Sequence, residues 1–146
     1  MNTGFAEPAT TALAAPVTPF VRMLERHGLA LPRTPLEILQ VNLTARCNLA
    51  CTHCHVESGP KREEALDARG IDRLIELMPT APALHTLDLT GGAPELHPQF
   101  RRLAAAGRAQ GLKVIDRCNL TVLFEPGQEN TAEFLAGHGI AVVAWP

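Results

Sequence analysis

The stretch that decides the fold spans residues 36–54 and reads LEILQVNLTARCNLACTHC. Its first eight residues are mostly apolar and partly alternate with polar ones, a pattern that predicts a β-strand. Three cysteines follow that strand at the spacing C-x3-C-x2-C, namely Cys47, Cys51 and Cys54. The sequence therefore predicts a tight group of thiols directly after a strand.

Helical and strand patterns alternate along the chain on either side of the cysteines. Further strands are predicted over residues 86–89, 113–120 and 140–144. The helices between them begin at capping signals, which are Asp67, the pair His97-Pro98, and Asn130 with Glu133 three residues later. This βαβαβαβ order predicts an α/β fold with a parallel sheet and helical crossovers.

Three unusual segments fall where predicted strands end. The cysteines follow the first strand, Gly91 and Gly92 follow the second, and Cys118 with Asn119 lies late in the third. Ligands of parallel α/β sheets gather at the carboxyl ends of the strands. We therefore expect these three segments to meet at one site.

Composition excludes several classes of protein. The chain has 146 residues, a net charge of −2 and 46 % hydrophobic residues, which suits one domain with a real core. A weakly acidic chain without a Lys/Arg run is not expected to bind nucleic acid. No apolar stretch reaches the roughly 20 residues that span a membrane. The clustered cysteines and the lack of a secretion signal predict a cytoplasmic protein.

The two ends of the chain differ in character. Residues 1–18 are rich in small residues, interrupted by proline and nearly uncharged, so we expect them to be poorly ordered. Residues 19–146 are expected to form the folded part, beginning with a short helix from Pro19 to His27. Four strands cannot close an eight-stranded barrel, so we expect either an open sheet or an incomplete chain.

The cysteine spacing leaves two metal chemistries open. Three thiolates on one loop can bind three corners of a cuboidal iron–sulfur cluster, with the fourth corner taken by Cys118 or left open for a substrate. Zinc is the alternative, because Cys51, Cys54 and Cys47 with His53 or His55 supply enough sulfur and nitrogen donors. A metal-binding module without catalytic activity is a further possibility. The sequence has no second C-x2-C, which zinc ribbons normally carry.

The cysteine motif, together with TGGAP at residues 90–94, resembles the radical S-adenosylmethionine (radical SAM) enzymes, whose second motif is Gly-Gly-Glu-Pro. The likeness runs from about residue 36 to the end. Longer blocks are similar to the arsenosugar-biosynthesis radical SAM proteins, at residues 39–42, 54–62, 89–96 and 116–121. The resemblance implies a partial (β/α) barrel, of which residues 19–146 would be the N-terminal part.

The resemblance also implies cofactors and roles for particular residues. Cys47, Cys51 and Cys54 would hold a [4Fe-4S] cluster that cleaves S-adenosylmethionine to methionine and a 5′-deoxyadenosyl radical, using an electron from a reductant protein. The cofactor would contact His53 at its adenine, the backbone of Gly91, Gly92 and Ala93 at its ammonium, and Asn119 at its ribose or carboxylate. In the arsenosugar subfamily the radical is thought to join a small-molecule substrate, a dimethylated trivalent arsenic species.

The chain departs from the family pattern in two ways. Ala93 replaces the acidic residue of Gly-Gly-Glu-Pro, so only backbone contacts carry over at this position. The family barrel has six strand–helix units, whereas this chain ends in its fourth strand and lacks the cysteine-rich C-terminal region. We therefore expect a truncated core with an uncovered apolar sheet edge. The alternatives are a radical SAM enzyme that modifies a peptide and a catalytically incompetent metal-binding fragment.

Overall fold

The structure is a computed structural model that describes residues 19–31 and 34–144. The poor order predicted for residues 1–18 lies outside the described residues. The chain divides into two compact units, one that ends at Thr34 and one that starts at Pro35. The first contains a short helix, α1 (Phe20–Arg26), which agrees with the helix predicted up to His27.

The second unit is built on a four-stranded parallel sheet in the order β1-β2-β3-β4. Its strands and α-helices, in chain order, are β1 (Ile38–Asn42), α2 (Ala68–Leu77), β2 (Thr86–Thr90), α3 (Phe100–Ala109), β3 (Lys113–Cys118), α4 (Thr131–Gly137) and β4 (Ala141–Ala144). The predicted βαβαβαβ order and α/β fold are confirmed. Within the described ranges, no helix has the length and apolar character needed to cross a membrane.

One face of the sheet carries the apolar core. Successive strand side chains point to opposite faces, so alternate residues of β1, β2 and β3 are buried together under the helices. The strands contribute Val41, Leu87, Leu89 and Val114, and the helices contribute Ile71, Phe100, Leu103, Ala104 and Leu135. The predicted cap of α2 is confirmed, because Asp67 Oδ1 accepts the N–H of Gly70 at 2.7 Å.

The opposite face of the sheet carries a polar network across three neighbouring strands. Arg117 on β3 donates to both carboxylate oxygens of Asp88 on β2, with Nε 2.8 Å from Oδ1 and Nη2 2.8 Å from Oδ2. Gln40 on β1 donates to the same carboxylate at 3.0 Å. The buried Asp88 is therefore paired with a cation and an amide.

The start of α3 differs from the prediction. The helix begins at Phe100 rather than at Pro98, because a 3₁₀ turn (Pro94–Leu96) occupies the preceding chain. His97 Nδ1 accepts the N–H of Gln99 at 3.1 Å, and its Nε2 lies 2.8 Å from a distant backbone carbonyl. His97 is buried, and its hydrogen bonds hold the segment that precedes α3. It is not the N-cap residue of the helix, which is Gln99.

Two other boundaries also depend on contacts that the sequence pattern did not reveal. β3 ends at Cys118 and does not continue to Leu120, because Leu120 has a left-handed conformation (φ 61°) and its N–H donates to Cys118 Sγ at 3.2 Å. Asn130 precedes α4 as predicted, but its side chain makes no cap. Instead, Asn130 Oδ1 accepts a hydrogen bond from Arg101 at 2.6 Å, so the predicted capping box is wrong.

The two glycines after β2 allow two backbone segments to approach closely. Gly91 has φ 135°, a conformation that side-chain-bearing residues rarely adopt. A Cβ on Gly92 would meet the carbonyl oxygen of Arg46 and would lie 2.7 Å from the Arg46 carbonyl carbon and 2.9 Å from the Ala45 oxygen. The backbone of the turn after β2 therefore packs directly against the backbone that precedes the cysteine motif.

We predict that Gly92→Ala lowers the free energy of unfolding by roughly 1–3 kcal/mol, because the backbone of Arg46 must move away from the new methyl group. Gly137→Ala is the matched control. A Cβ there meets nothing within 4 Å, so stability should be unchanged or raised by up to about 1 kcal/mol. Urea unfolding of both variants measures the difference, and equal stabilities would contradict the predicted close approach.

Candidate metal centre

The cysteine motif lies on a loop that backbone hydrogen bonds close at its base. The N–H of Cys47 donates to the carbonyl of Gly59 at 3.2 Å, and the N–H of Gly59 donates to the carbonyl of Ala45 at 3.2 Å. Behind these bonds, the N–H of Ala45 donates to the carbonyl of Glu64 at 2.8 Å. The two ends of the loop are thereby held together at the carboxyl end of β1.

The side chain of Arg62 hydrogen-bonds to the backbone of the loop just after Cys54. Its Nη1 donates to the carbonyl of Glu57 at 2.7 Å and to that of Val56 at 3.3 Å. Its other nitrogens bind the carboxylate of Glu64, and this guanidinium lowers the pKa of Glu64 to about 2. Arg62 thus connects the residues just after Cys54 to the returning chain.

The three motif cysteines are free thiols with different exposure. Cys47 is buried, Cys54 is half-buried and Cys51 is exposed. Cys47 Sγ accepts the N–H of Leu49 at 3.4 Å, and Cys54 Sγ accepts the N–H of Ser58 at 3.3 Å. The backbone N–H groups around Cys54, that of Ser58 first, lower the pKa of the Cys54 thiol. Two of the three sulfurs therefore lie where a negative charge is stabilised.

The spacing of the three sulfurs bears on which metal they suit. Within residues 19–31 and 34–144, the three cysteine sulfurs do not all lie within 4.8 Å of one another. Sulfur atoms that share one zinc ion at about 2.3 Å lie about 3.8 Å apart. In a polynuclear group each cysteine binds a different metal atom, so its ligand sulfurs need not lie this close together.

The glycine turn lies against the cysteine loop, as the sequence predicts. The N–H of Gly92 donates to the carbonyl of Thr44 at 2.6 Å, and the N–H of Ala93 donates to the carbonyl of Arg46 at 2.8 Å. The Ala93 carbonyl is occupied by the N–H of a following residue. The carbonyls of Gly91 and Gly92, by contrast, accept no hydrogen bond from the part of the chain that the structure describes.

Asn119 reaches the cysteine loop from the end of β3. Its Nδ2 donates to Asn48 Oδ1 at 2.8 Å and to Cys47 Sγ at 3.5 Å. His53, the other side chain predicted to touch a cofactor, is exposed on the loop, as is His55. The structure thus brings the glycine turn and Asn119 to Cys47, and it leaves both histidines open to solvent.

A buried acidic group beneath this site escaped the sequence analysis. The ligand atoms of Glu95, Asp116 and Cys118 lie within 4.8 Å of one another, and all three residues are buried. No carboxylate oxygen of Glu95 or Asp116 has a hydrogen-bond partner when both are ionised. The alternation of side chains along a strand could have revealed part of this group. It places Asp116 and Cys118 on the same buried face of β3 as Val114.

Burial is the main physical effect on these three groups. Desolvation, followed by the neighbouring charge of Glu95, raises the pKa of Asp116 to about 8. Desolvation also raises the pKa of Glu95, and it raises the pKa of the Cys118 thiol. A protonated Asp116 can donate to Glu95, which removes one charge from the interior. Cys118 remains a thiol beside these acids, which makes it a poor fourth metal ligand.

The comparison with known protein families agrees with the fold. The radical SAM superfamily matches residues 41–144, which include the three cysteines, the glycine turn and all of β2 and β3. The chain belongs to the radical SAM superfamily, whose members use a [4Fe-4S] cluster and S-adenosylmethionine. The predicted family and cofactors are confirmed at this level.

Among curated proteins, the chain is similar to enzymes of one particular kind, the GTP 3',8-cyclases. The chain is similar to the GTP 3',8-cyclase of Synechococcus sp. (strain CC9902), with 39% identity over 106 residues that cover 70% of this chain and 29% of the relative. It is 31% identical to the GTP 3',8-cyclase of Chlorobaculum tepidum over 74 residues, which cover 51% of the chain and 22% of the relative. The chain thus spans less than a third of the length of these relatives. Both relatives are GTP 3',8-cyclases, so they give no support to the arsenosugar subfamily that the sequence blocks suggested.

The acidic group generates a prediction about pH. A carboxyl group whose pKa is raised by folding binds protons more readily in the folded state than in the unfolded state. The free energy of unfolding should therefore fall as pH rises from about 4, the pKa of an ordinary carboxyl group, to about 8. Asp116→Asn should reduce this decline, because an amide can donate to Glu95 without taking up a proton.

Urea unfolding at pH 5 and pH 8 measures the decline. Asp72→Asn, at an exposed position on α2, is the matched control and should keep the wild-type dependence. A wild-type stability that does not change over this range would show that the acids are not protonated in the folded protein. An Asp116→Asn variant with the same slope as the control would show that Asp116 does not hold the proton.

Proposed function

We propose that this chain carries the cluster-binding and cofactor-binding part of a radical SAM enzyme, with Cys47, Cys51 and Cys54 as the ligands of a [4Fe-4S] cluster. The observation that carries the proposal is the meeting of the cysteine loop with the glycine turn through the backbone bonds of Gly92 and Ala93. Three thiols and a turn with free carbonyls lie at one edge of a parallel sheet, which is where such folds bind ligands.

The chemistry of the donor set supports the fit. The cysteines are unpaired, Cys47 and Cys54 accept backbone N–H groups at sulfur, and Cys51 is exposed at the tip of the loop. When bound, the cluster supplies the electron for reductive cleavage of S-adenosylmethionine to methionine and a 5′-deoxyadenosyl radical. Three protein ligands leave one iron available to the methionine end of the cofactor.

The glycine turn supports a site for the cofactor ammonium. The carbonyls of Gly91 and Gly92 have no partner among the described residues, and glycine has no Cβ to keep a cation away. We assign the ammonium to these two carbonyls. The family resemblance also implied a contact with the Ala93 backbone, but the Ala93 carbonyl already accepts the N–H of Leu96 and the Ala93 N–H donates to Arg46. His53 is exposed and offers a flat ring to the adenine.

For the substrate we propose a small molecule, a dimethylated trivalent arsenic compound that receives the adenosyl group. The support is the length of the sequence blocks at residues 54–62 and 116–121 that are similar to the arsenosugar-biosynthesis proteins. A guanine nucleotide is the second candidate, because the curated relatives are GTP 3',8-cyclases. In either case a reductant protein supplies the electron, and we propose that the enzyme acts in the cytoplasm.

Anaerobic reconstitution with iron and sulfide tests the cluster. The wild-type chain should bind about four iron atoms, as expected for a cubane cluster, and release 5′-deoxyadenosine when dithionite and S-adenosylmethionine are added. Cys51→Ala should lose both properties, because one corner of the cluster then has no protein ligand. Cys118→Ala is the matched control and should keep the iron, since that thiol belongs to the buried acidic group.

Two results would contradict the assignment. Stoichiometric zinc without an iron cluster would identify a zinc site, and a full iron cluster in Cys51→Ala would remove that cysteine from the ligand set. The substrate is tested separately, by mass spectrometry of reactions that contain dimethylarsenite or GTP. An adenosylated arsenic product is expected. A product derived from GTP would instead establish the second candidate.

A further inference from the structure

We propose that Asn119 sets the reduction potential of the cluster by donating an amide N–H to the sulfur of Cys47. The inference rests on the proposed function and deepens it, because it assigns a residue on β3's carboxyl end to the cluster itself. The relevant contact joins Asn119 Nδ2 to Cys47 Sγ at 3.5 Å, a length that suits the large radius of sulfur.

The orientation of the Asn119 amide follows from its other partners. Its Oδ1 accepts the backbone N–H of Val122 at 2.9 Å, and a backbone N–H can only donate. The hydroxyl of Thr121 approaches the same oxygen at 3.1 Å. Because these groups hold the oxygen on one side, Nδ2 must face Cys47 and Asn48.

The hydrogen-bonding capacity of Asn119 is fully used by the protein. A carboxamide has two N–H groups and one oxygen with two lone pairs. The N–H groups go to Cys47 and Asn48, and the lone pairs go to Thr121 and Val122. No group remains for the ribose or carboxylate of S-adenosylmethionine, which is the role that the family resemblance implied for this residue.

The surrounding contacts make this amide rigid. Asn48 accepts from Asn119 through Oδ1 and donates from Nδ2 to the hydroxyl of Thr121 at 2.9 Å, which closes a ring of three side chains. Asn48 directly follows Cys47, so the ring attaches the end of β3 to the cysteine motif. An amide held in this way keeps its N–H directed at the sulfur.

The expected effect has a definite sign. Cys47 Sγ receives two N–H groups, from Leu49 and Asn119, whereas Cys54 Sγ receives that of Ser58. An N–H near a ligand sulfur stabilises negative charge, and a reduced cluster carries one more negative charge than an oxidised one. The Asn119 donor therefore raises the potential, and its loss makes the cluster harder to reduce.

The test is an EPR-monitored reductive titration of the anaerobically reconstituted full chain. Asn119→Leu removes the donor without adding charge, and Asn119→Asp removes it and places a carboxylate near the sulfur. Both should keep wild-type iron content and titrate at more negative potentials, with the larger shift in Asn119→Asp. Asn130→Asp, at an exposed position directly before α4, is the matched control and should titrate as wild type does.

A third variant distinguishes an effect of the amide N–H on the reduction potential from an effect of Asn119 on the local structure. Thr121→Val removes one hydrogen bond to Asn119 but keeps the amide donor, so it should shift the potential less than Asn119→Leu does. Wild-type potentials in iron-loaded Asn119→Leu and Asn119→Asp would overturn the inference. Loss of iron from both would also overturn it, because Asn119 would then be a structural residue. Failure of the proposed function is distinct, since the wild-type chain would then bind no iron–sulfur cluster.

Discussion

Two backbone hydrogen bonds hold the candidate site together. The N–H groups of Gly92 and Ala93 donate to the carbonyls of Thr44 and Arg46, which fastens the end of β2 to the chain just before Cys47. The two segments can meet because β1 and β2 are parallel neighbours whose carboxyl ends lie at one edge of the sheet. They can touch because the turn has no side chain where the backbones meet. The cysteine loop takes its position from this contact.

Charge is handled differently on the two faces of the sheet. On the face opposite the helices, Asp88 accepts hydrogen bonds from Arg117 and Gln40. A cation and an amide therefore compensate for the burial of its carboxylate. Asp116, on the helix-covered face, and the neighbouring Glu95 form no ion pair with any cation among the described residues, and protonation is the way to keep them in the interior. At the cysteine loop, N–H groups are directed at the sulfurs of Cys47 and Cys54. The protein therefore offers hydrogen bonds to negative charge at two of the motif sulfurs and suppresses negative charge at the buried acids.

The order and type of the elements could be predicted from the sequence because the apolar period is local. The caps were less predictable. Asp67 caps α2 as expected, but Asn130 gives its side-chain oxygen to Arg101 on α3, and His97 reaches a carbonyl far along the chain. In both failures the side chain binds a partner from a distant part of the chain. Such partners cannot be read from the spacing of neighbouring residues.

The sequence by itself determined the parallel α/β order, the three-cysteine motif and membership of a family that uses an iron–sulfur cluster, because these depend on residues close together in the chain. Only the tertiary structure decided that Asn119 donates to Cys47, and that Glu95 and Asp116 meet beside a buried thiol. The physical reason is that hydrogen-bond partners and burial are set by strands lying side by side. Residues separated by dozens of positions become neighbours only when the sheet forms.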